Sequence, residues 1–81
     1  MRFILYGTDY CQLCDEALEL VEQALEGEDY KIDIVDISHS DELMGQYAYS
    51  IPVLKCLESD RELNWPFTGF ELLALTQSSK C

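Results

Sequence analysis

The sequence predicts a single α/β domain with the element order β-α-β-α-β-β-α. A short branched and aromatic run, Phe3-Ile4-Leu5-Tyr6, precedes a stretch with clear helical periodicity. Two later apolar runs alternate at the strand period, and glycine, proline and serine-acid clusters mark the boundaries between them.

Arg2 to Tyr6 has the β-branched and aromatic content of a buried strand and is bounded by Gly7-Thr8-Asp9. The first helix follows. Leu13, Cys14, Ala17, Leu18, Val21, Ala24 and Leu25 share one face, and Asp15, Glu16, Glu19, Glu22 and Glu26 the other. Gly27 is placed to stop it. Tyr30 to Ile37 reads as a second strand, with Tyr30, Ile32 and Ile34 on its inner face. Ser38, with Asp41 three residues on, has capping-box spacing and opens a short helix through Leu43 and Met44 towards Tyr47. Ile51 to Leu57 is the third strand. Pro52 marks a bend leading into it, because proline cannot donate to a sheet ladder. Glu58-Ser59-Asp60-Arg61 turns the chain into a fourth strand, Glu62 to Trp65, ended by Pro66. Thr68 and Glu71 repeat the capping-box spacing before a last helix with Leu72, Leu73 and Leu75. Residues 78–81 are expected to fray. The chain, 1–81, contains no internal repeat, linker or low-complexity tract.

Composition narrows the function. At 81 residues and 48% hydrophobic content, the chain can bury one core. Sixteen acidic against five basic residues give a net charge of −11, which repels nucleic-acid phosphate and anionic lipid. No run approaches the apolar length of a membrane span, and the opening apolar stretch is too short for the core of a secretory leader. The expected location is therefore the cytoplasm, and the expected state a monomer. In a reducing compartment a close cysteine pair is more often catalytic or metal-binding than a structural staple.

That pair is Cys11-Gln12-Leu13-Cys14. Its spacing sets the two sulfurs one helical turn apart, within reach of a reversible disulfide. Its place, where a strand hands over to a helix N-terminus, lowers the pKa of the first thiol through the helix dipole and free backbone N–H groups. Cys14 falls on the inner face and Cys11 at the rim, which suits a resolving and an attacking role. Two cysteines are also half of a metal site, but a closed zinc site needs about four ligands, and Cys56, His39 and Cys81 show no partner spacing. Cys56 reads as a small buried hydrophobe, Cys81 as an incidental thiol, His39 as solvated, and Trp65 and Phe67 as core or groove wall.

The order of these motifs, C-x-x-C near the start, then Ile51-Pro52-Val53-Leu54, then Trp65-Pro66-Phe67, resembles a small glutaredoxin-like family of the thioredoxin-fold superfamily from Arg2 to about Gln77. The resemblance implies a thioredoxin-like, glutaredoxin-type α/β fold, a four-stranded mixed sheet with three helices. It implies thiol-disulfide exchange with Cys11 as nucleophile and Cys14 as resolving thiol. It further implies a cis Pro52 facing the thiols, Ile51 backbone free to pair with an extended substrate, and Gly69, Phe70 and Glu71 at the helix start where glutaredoxins hold the glutamyl end of glutathione. Gln12 and Leu13 would complete the substrate surface. The implied partners are a disulfide-containing protein or a glutathione mixed disulfide, with no bound cofactor. A non-catalytic binding module of the same fold, or a metal or iron–sulfur carrier using the C-x-x-C, stays open as an alternative.

Several positions depart from the glutaredoxin pattern. Thr8 stands where a lysine is usual, Gln12 and Leu13 replace a proline and an aromatic, Phe67-Thr68 replace a glycine pair, and Phe70-Glu71 replace an aspartate pair. With Asp9, Asp15 and Glu16 around the thiols, the expectation is a less activated thiolate and glutathione as a weak co-substrate at most.

Overall fold

The computed structural model describes residues 1–8, 12–48 and 50–78. Strand β1 (Arg2–Gly7) leads to helix α1 (Gln12–Ala24), strand β2 (Lys31–Asp36), a 3-10 turn (Ile37–His39) and helix α2 (Asp41–Tyr47). Strands β3 (Val53–Cys56) and β4 (Glu62–Asn64) and helix α3 (Gly69–Ser78) complete the chain. The sheet order is β2-β1-β3-β4, with β1 parallel to β2 and antiparallel to β3, and β3 antiparallel to β4. Among the described residues this is the mixed four-stranded sheet with three α-helices that the sequence implies.

The alternation along β1 and β3 divides the core in two. Phe3 and Leu5 of β1, with Leu54 and Cys56 of β3, face Cys14, Ala17, Val21 and Leu25 from α1 and Leu72 and Leu75 from α3. Tyr6 and Val53 point the other way and meet Ile37 and Tyr47. Both faces of the two central strands are thereby covered, and Phe3, Leu5, Val53 and Leu54 are each at most 1% exposed.

Boundaries and faces differ from the sequence expectation at identifiable places. The second strand stops at Asp36, because the Asp36 carboxylate accepts a hydrogen bond from the Ser38 backbone N–H at 2.9 Å and folds the next residues into the 3-10 turn. The helix that follows is capped by Ser40 rather than Ser38, with Ser40 Oγ accepting from Leu43 N–H at 3.3 Å. Ile34 is 62% exposed. It lies beside Leu5 in register but on the outer strand, beyond the cover that α1 and α3 give β1 and β3. Leu13 is also exposed, since the first turn of α1 commits Cys14 to the core and leaves Leu13 at the margin of the apolar arc. Leu73 is solvent-facing on α3, while Leu72 and Leu75 are buried as the pattern requires. Gly27 adopts φ 85, the left-handed conformation that favours glycine after a helix end.

Tyr47 ties α2 to the sheet. Its ring stacks on Tyr6 with centroids 4.5 Å apart and an interplanar angle of 19°, and its hydroxyl donates to the Glu62 carboxylate on β4. Burial, then the bond to and charge of Glu62, push the Tyr47 phenol well above its ordinary value. The folded protein therefore holds a proton that an unfolded tyrosine releases above about pH 10. This contribution to stability is complete below that pH and is lost as pH rises beyond it. Tyr47→Phe should lower unfolding free energy by about 1 kcal/mol at pH 8 and reduce the further loss between pH 10 and 11, as read from urea midpoints across that range. An identical alkaline slope in the two proteins would refute the assignment.

The last helix carries the predicted reciprocal cap. Thr68 Oγ1 accepts from Glu71 N–H at 3.0 Å, and Glu71 Oε1 accepts from Thr68 N–H at 3.1 Å. Thr68→Ala should cost about 1 kcal/mol and lower Tm by roughly 4–8 °C, measurable by calorimetry.

Candidate active site

Cys14 occupies the core-facing side of the first turn of α1 and is 9% exposed. Its sulfur stands against the end of β1 so closely that a Cβ added to Gly7 would collide with Sγ. Gly7 is thus more than the turn residue that the sequence suggests. It is the last residue of the strand, and its missing side chain is the space the sulfur fills. A glycine at a strand end directly before a C-x-x-C is the signal from which this contact could have been anticipated, since glycine in a strand marks close approach.

Cys14 is disulfide-bonded; Cys11, the expected nucleophile, lies outside the described residues together with Asp9. Gln12 and Leu13 are exposed beside it on the same turn, as are Asp15 and Glu16. Asp15 lies in the first turn, where its charge suits the helix dipole and opposes a thiolate.

The Ile51–Pro52 peptide is cis. Tyr6 pairs with Val53, so one further step of the antiparallel register sets Pro52 beside Gly7, at the end of the sheet where Cys14 packs. Pro52 is buried, and its carbonyl accepts from Trp65 N–H at 3.0 Å. The Trp65–Pro66 peptide is also cis, which no feature of the sequence suggests.

Two expected binding elements differ in place or availability. The Ile51 backbone is not wholly free: its N–H donates to Tyr47 C=O at 3.2 Å, closing the end of α2 and leaving its carbonyl for an added strand. Gly69 packs against Ala24 Cβ at 3.7 Å and Leu20 Cδ1 at 3.9 Å. Those residues lie about 9–15 Å along α1 from Cys14 at 1.5 Å per residue. Phe70 is 86% exposed on that same helix start. The structure thus gathers Cys14, Gln12, Leu13, Ile51 and Pro52 at one end of the sheet and sets Gly69 and Phe70 further down α1.

The other candidates lie apart. Cys56 is fully buried opposite Phe3, three strand positions from Val53, or about 10 Å. Its reading as a small hydrophobe captures the burial but misses a bond, because Cys56 is also disulfide-bonded. Cys81 lies among residues 79–81, outside the described residues, although α3 itself runs through Ser78. His39 is exposed on the 3-10 turn with Nε2 3.6 Å from Asp36 Oδ2. Trp65 meets Phe67 edge to face at 5.1 Å, and Phe67 is buried, so one serves as groove wall and the other as core. Among the described residues no three His, Cys, Asp or Glu side chains gather as metal ligands, and no helix is long and apolar enough to cross a membrane.

Strand order, cis Pro52 and a cysteine in the first turn of α1 define a thioredoxin-fold protein. Solved structures agree. Target protein XcR50 from X. campestris is 35% identical, with TM-score 0.80 over 95% of this chain and 97% of that one. Protein Ne2328 from Nitrosomonas europaea, 23% identical, gives TM-score 0.71 over 91% and 88%. Thioredoxin 1 from Thermosipho africanus, 17% identical, gives 0.65 over the same shares and bears on the fold alone. No curated protein matches the chain significantly. The chain belongs to the glutaredoxin-like domain family (DUF836), whose sequence profile matches residues 2–75.

The contact between Cys14 and Gly7 has a testable consequence. A methyl group at position 7 overpacks the site, and a disulfide-bonded sulfur cannot swing away. Gly7→Ala should destabilise the oxidised protein by about 1–3 kcal/mol and the dithiothreitol-reduced protein by less, measured by urea unfolding of both forms. Equal losses would show that the disulfide does not hold the sulfur in place.

Proposed function

We propose that this protein is a thiol–disulfide oxidoreductase that exchanges disulfides through Cys11 and Cys14. The observation that carries the reading is the disulfide-bonded Cys14 sulfur seated against Gly7, at the end of the sheet that also holds cis Pro52. A sheltered sulfur one helical turn from a second cysteine is suited to resolving a bond that its partner forms.

In the exchange, the Cys11 thiol loses its proton to solvent and the thiolate attacks one sulfur of a substrate disulfide. The other substrate sulfur leaves as a thiolate, and Cys11 is held in a mixed disulfide. The Cys14 thiolate then attacks Cys11 Sγ, releases the second substrate sulfur and leaves Cys11 bonded to Cys14. The substrate has gained two electrons and the enzyme has lost them. Two glutathione thiols, or the dithiol of a reductase, return the pair to its reduced form, with glutathione leaving as its own disulfide. The helix N-terminus favours the Cys11 thiolate, while Asp15 and Glu16 oppose it. The substrates are a disulfide-containing protein or a glutathione mixed disulfide. Glutathione binds weakly because it is anionic and meets a surface of its own sign.

Cys11→Ser should abolish turnover of a disulfide substrate. Cys14→Ser should accumulate the covalent enzyme–substrate species, visible as an added mass under non-reducing conditions and removed by dithiothreitol. Undiminished turnover by the Cys11→Ser protein would sink the assignment.

A further inference from the structure

On its outer side, α1 presents Glu16, Glu19, Leu20 and Gln23 at the i, i+3, i+4, i+7 spacing of one helical stripe. This stripe and Trp65 line a groove of about 430 Å³. Leu20 is half-buried, packed against the main core, and forms an apolar floor. Trp65 forms the opposite wall and is fixed at two points. Its N–H donates to Pro52 C=O at 3.0 Å, and its ring lies edge-on to buried Phe67 at 85°. The groove wall is therefore tied to the residue beside Gly7 and Cys14, and Glu16 follows Cys14 by two positions.

The groove has carboxylates and no cation of its own. Among the described residues no basic side chain lines it. The ion pairs of His39 with Asp36 and of Lys55 with Asp60 lie elsewhere, and among the described residues Glu16 and Glu19 have no ion-pair partner. A half-buried indole facing exposed carboxylates across a groove suits a cationic side chain. Its alkyl stem covers Leu20 and the ring, and its charge meets the ring face and the two acids.

We infer that the groove between α1 and Trp65 docks an arginine or lysine side chain of a polypeptide substrate, close in sequence to the disulfide that Cys11 attacks. This deepens the exchange reading and rests on it, naming the substrate class as disulfides in basic polypeptide segments. The charge complementarity of the groove selects that occupant, and a net charge of −11 steers it in and turns acidic segments away.

Trp65 is the only tryptophan in the chain, so its fluorescence reports on the groove directly. A cysteine-free peptide amide carrying two arginines should change Trp65 emission saturably, and less so as salt rises from about 20 to about 200 mM. The same peptide with glutamates in place of the arginines should not. Glu16→Gln/Glu19→Gln should weaken arginine-peptide binding about 10-fold. Glu22→Gln/Glu26→Gln, which removes the same charge from exposed positions in the last turn of α1 and just beyond it, should leave it within about 2-fold. Equal weakening in the two doubly neutralised proteins, or no saturable response in the native protein, would overturn the inference. Turnover of a neutral small-molecule disulfide, measured on the same proteins, separates the two readings. Intact turnover with no peptide response removes the groove and keeps the exchange, whereas peptide binding without turnover removes the exchange and keeps the groove.

Discussion

The contact that orders this molecule is the one between the Cys14 sulfur and the backbone of Gly7. A sulfur can reach the strand only because residue 7 has no side chain, and that approach sets the first turn of α1 against the end of β1. From there the helix lays Ala17, Val21 and Leu25 over Phe3, Leu5 and Leu54. The antiparallel pairing of β1 with β3 carries the same alignment across to Val53 and so to Pro52. The central strands and the thiol-bearing turn are thus positioned by one another. A side chain at residue 7 would displace the Cys14 sulfur and not merely loosen a turn.

Two electrostatic influences meet at that turn with opposite sign. The free N–H groups of a helix start stabilise a thiolate, and in most glutaredoxin patterns a nearby lysine adds to the effect. Here Thr8 stands in the lysine's place and Asp15 and Glu16 are exposed close by. Exposed carboxylates act through water and are screened within about 10 Å at 0.1 M salt, so their opposition to a thiolate weakens as salt rises. In the proposed exchange, the same acids that oppose a thiolate favour a cationic substrate. Weak activation combined with charge selection would suit an exchange confined to few disulfides.

Much of the architecture was legible in the sequence because period and punctuation agree. The 3.6-residue pattern of α1, Gly27 after it, and the Thr68–Glu71 box each rest on local interactions that sequence spacing specifies. What was not legible depends on groups brought together from a distance. Ser38 and Ser40 both precede an acid-rich helix start, and the choice of Ser40 follows from Asp36 turning back onto Ser38. Ile34 has the alternation of an inward residue, and only the strand order reveals that nothing covers it. The thiol pair and Pro52 were visible as motifs. The meeting of Cys14 and Pro52 at one end of the sheet is a matter of register, which no local signal encodes, and the disulfide at buried Cys56 is equally a tertiary fact.

The site's departures from the glutaredoxin pattern are connected. Gly69 and Phe70 start their helix beside Leu20 and Ala24, displaced along α1 from the cysteine, and the Ile51 N–H is bound to Tyr47. The first arrangement sets that helix start about 9–15 Å along α1 from Cys14. The second removes one of two backbone groups that an extended substrate would pair with. The chain between β4 and α3 fills the intervening space with Trp65, Pro66 and Phe67, anchored through Trp65 to Pro52. An extended segment added at Ile51 would pair through its carbonyl alone, beside an aromatic wall that faces the carboxylates of α1.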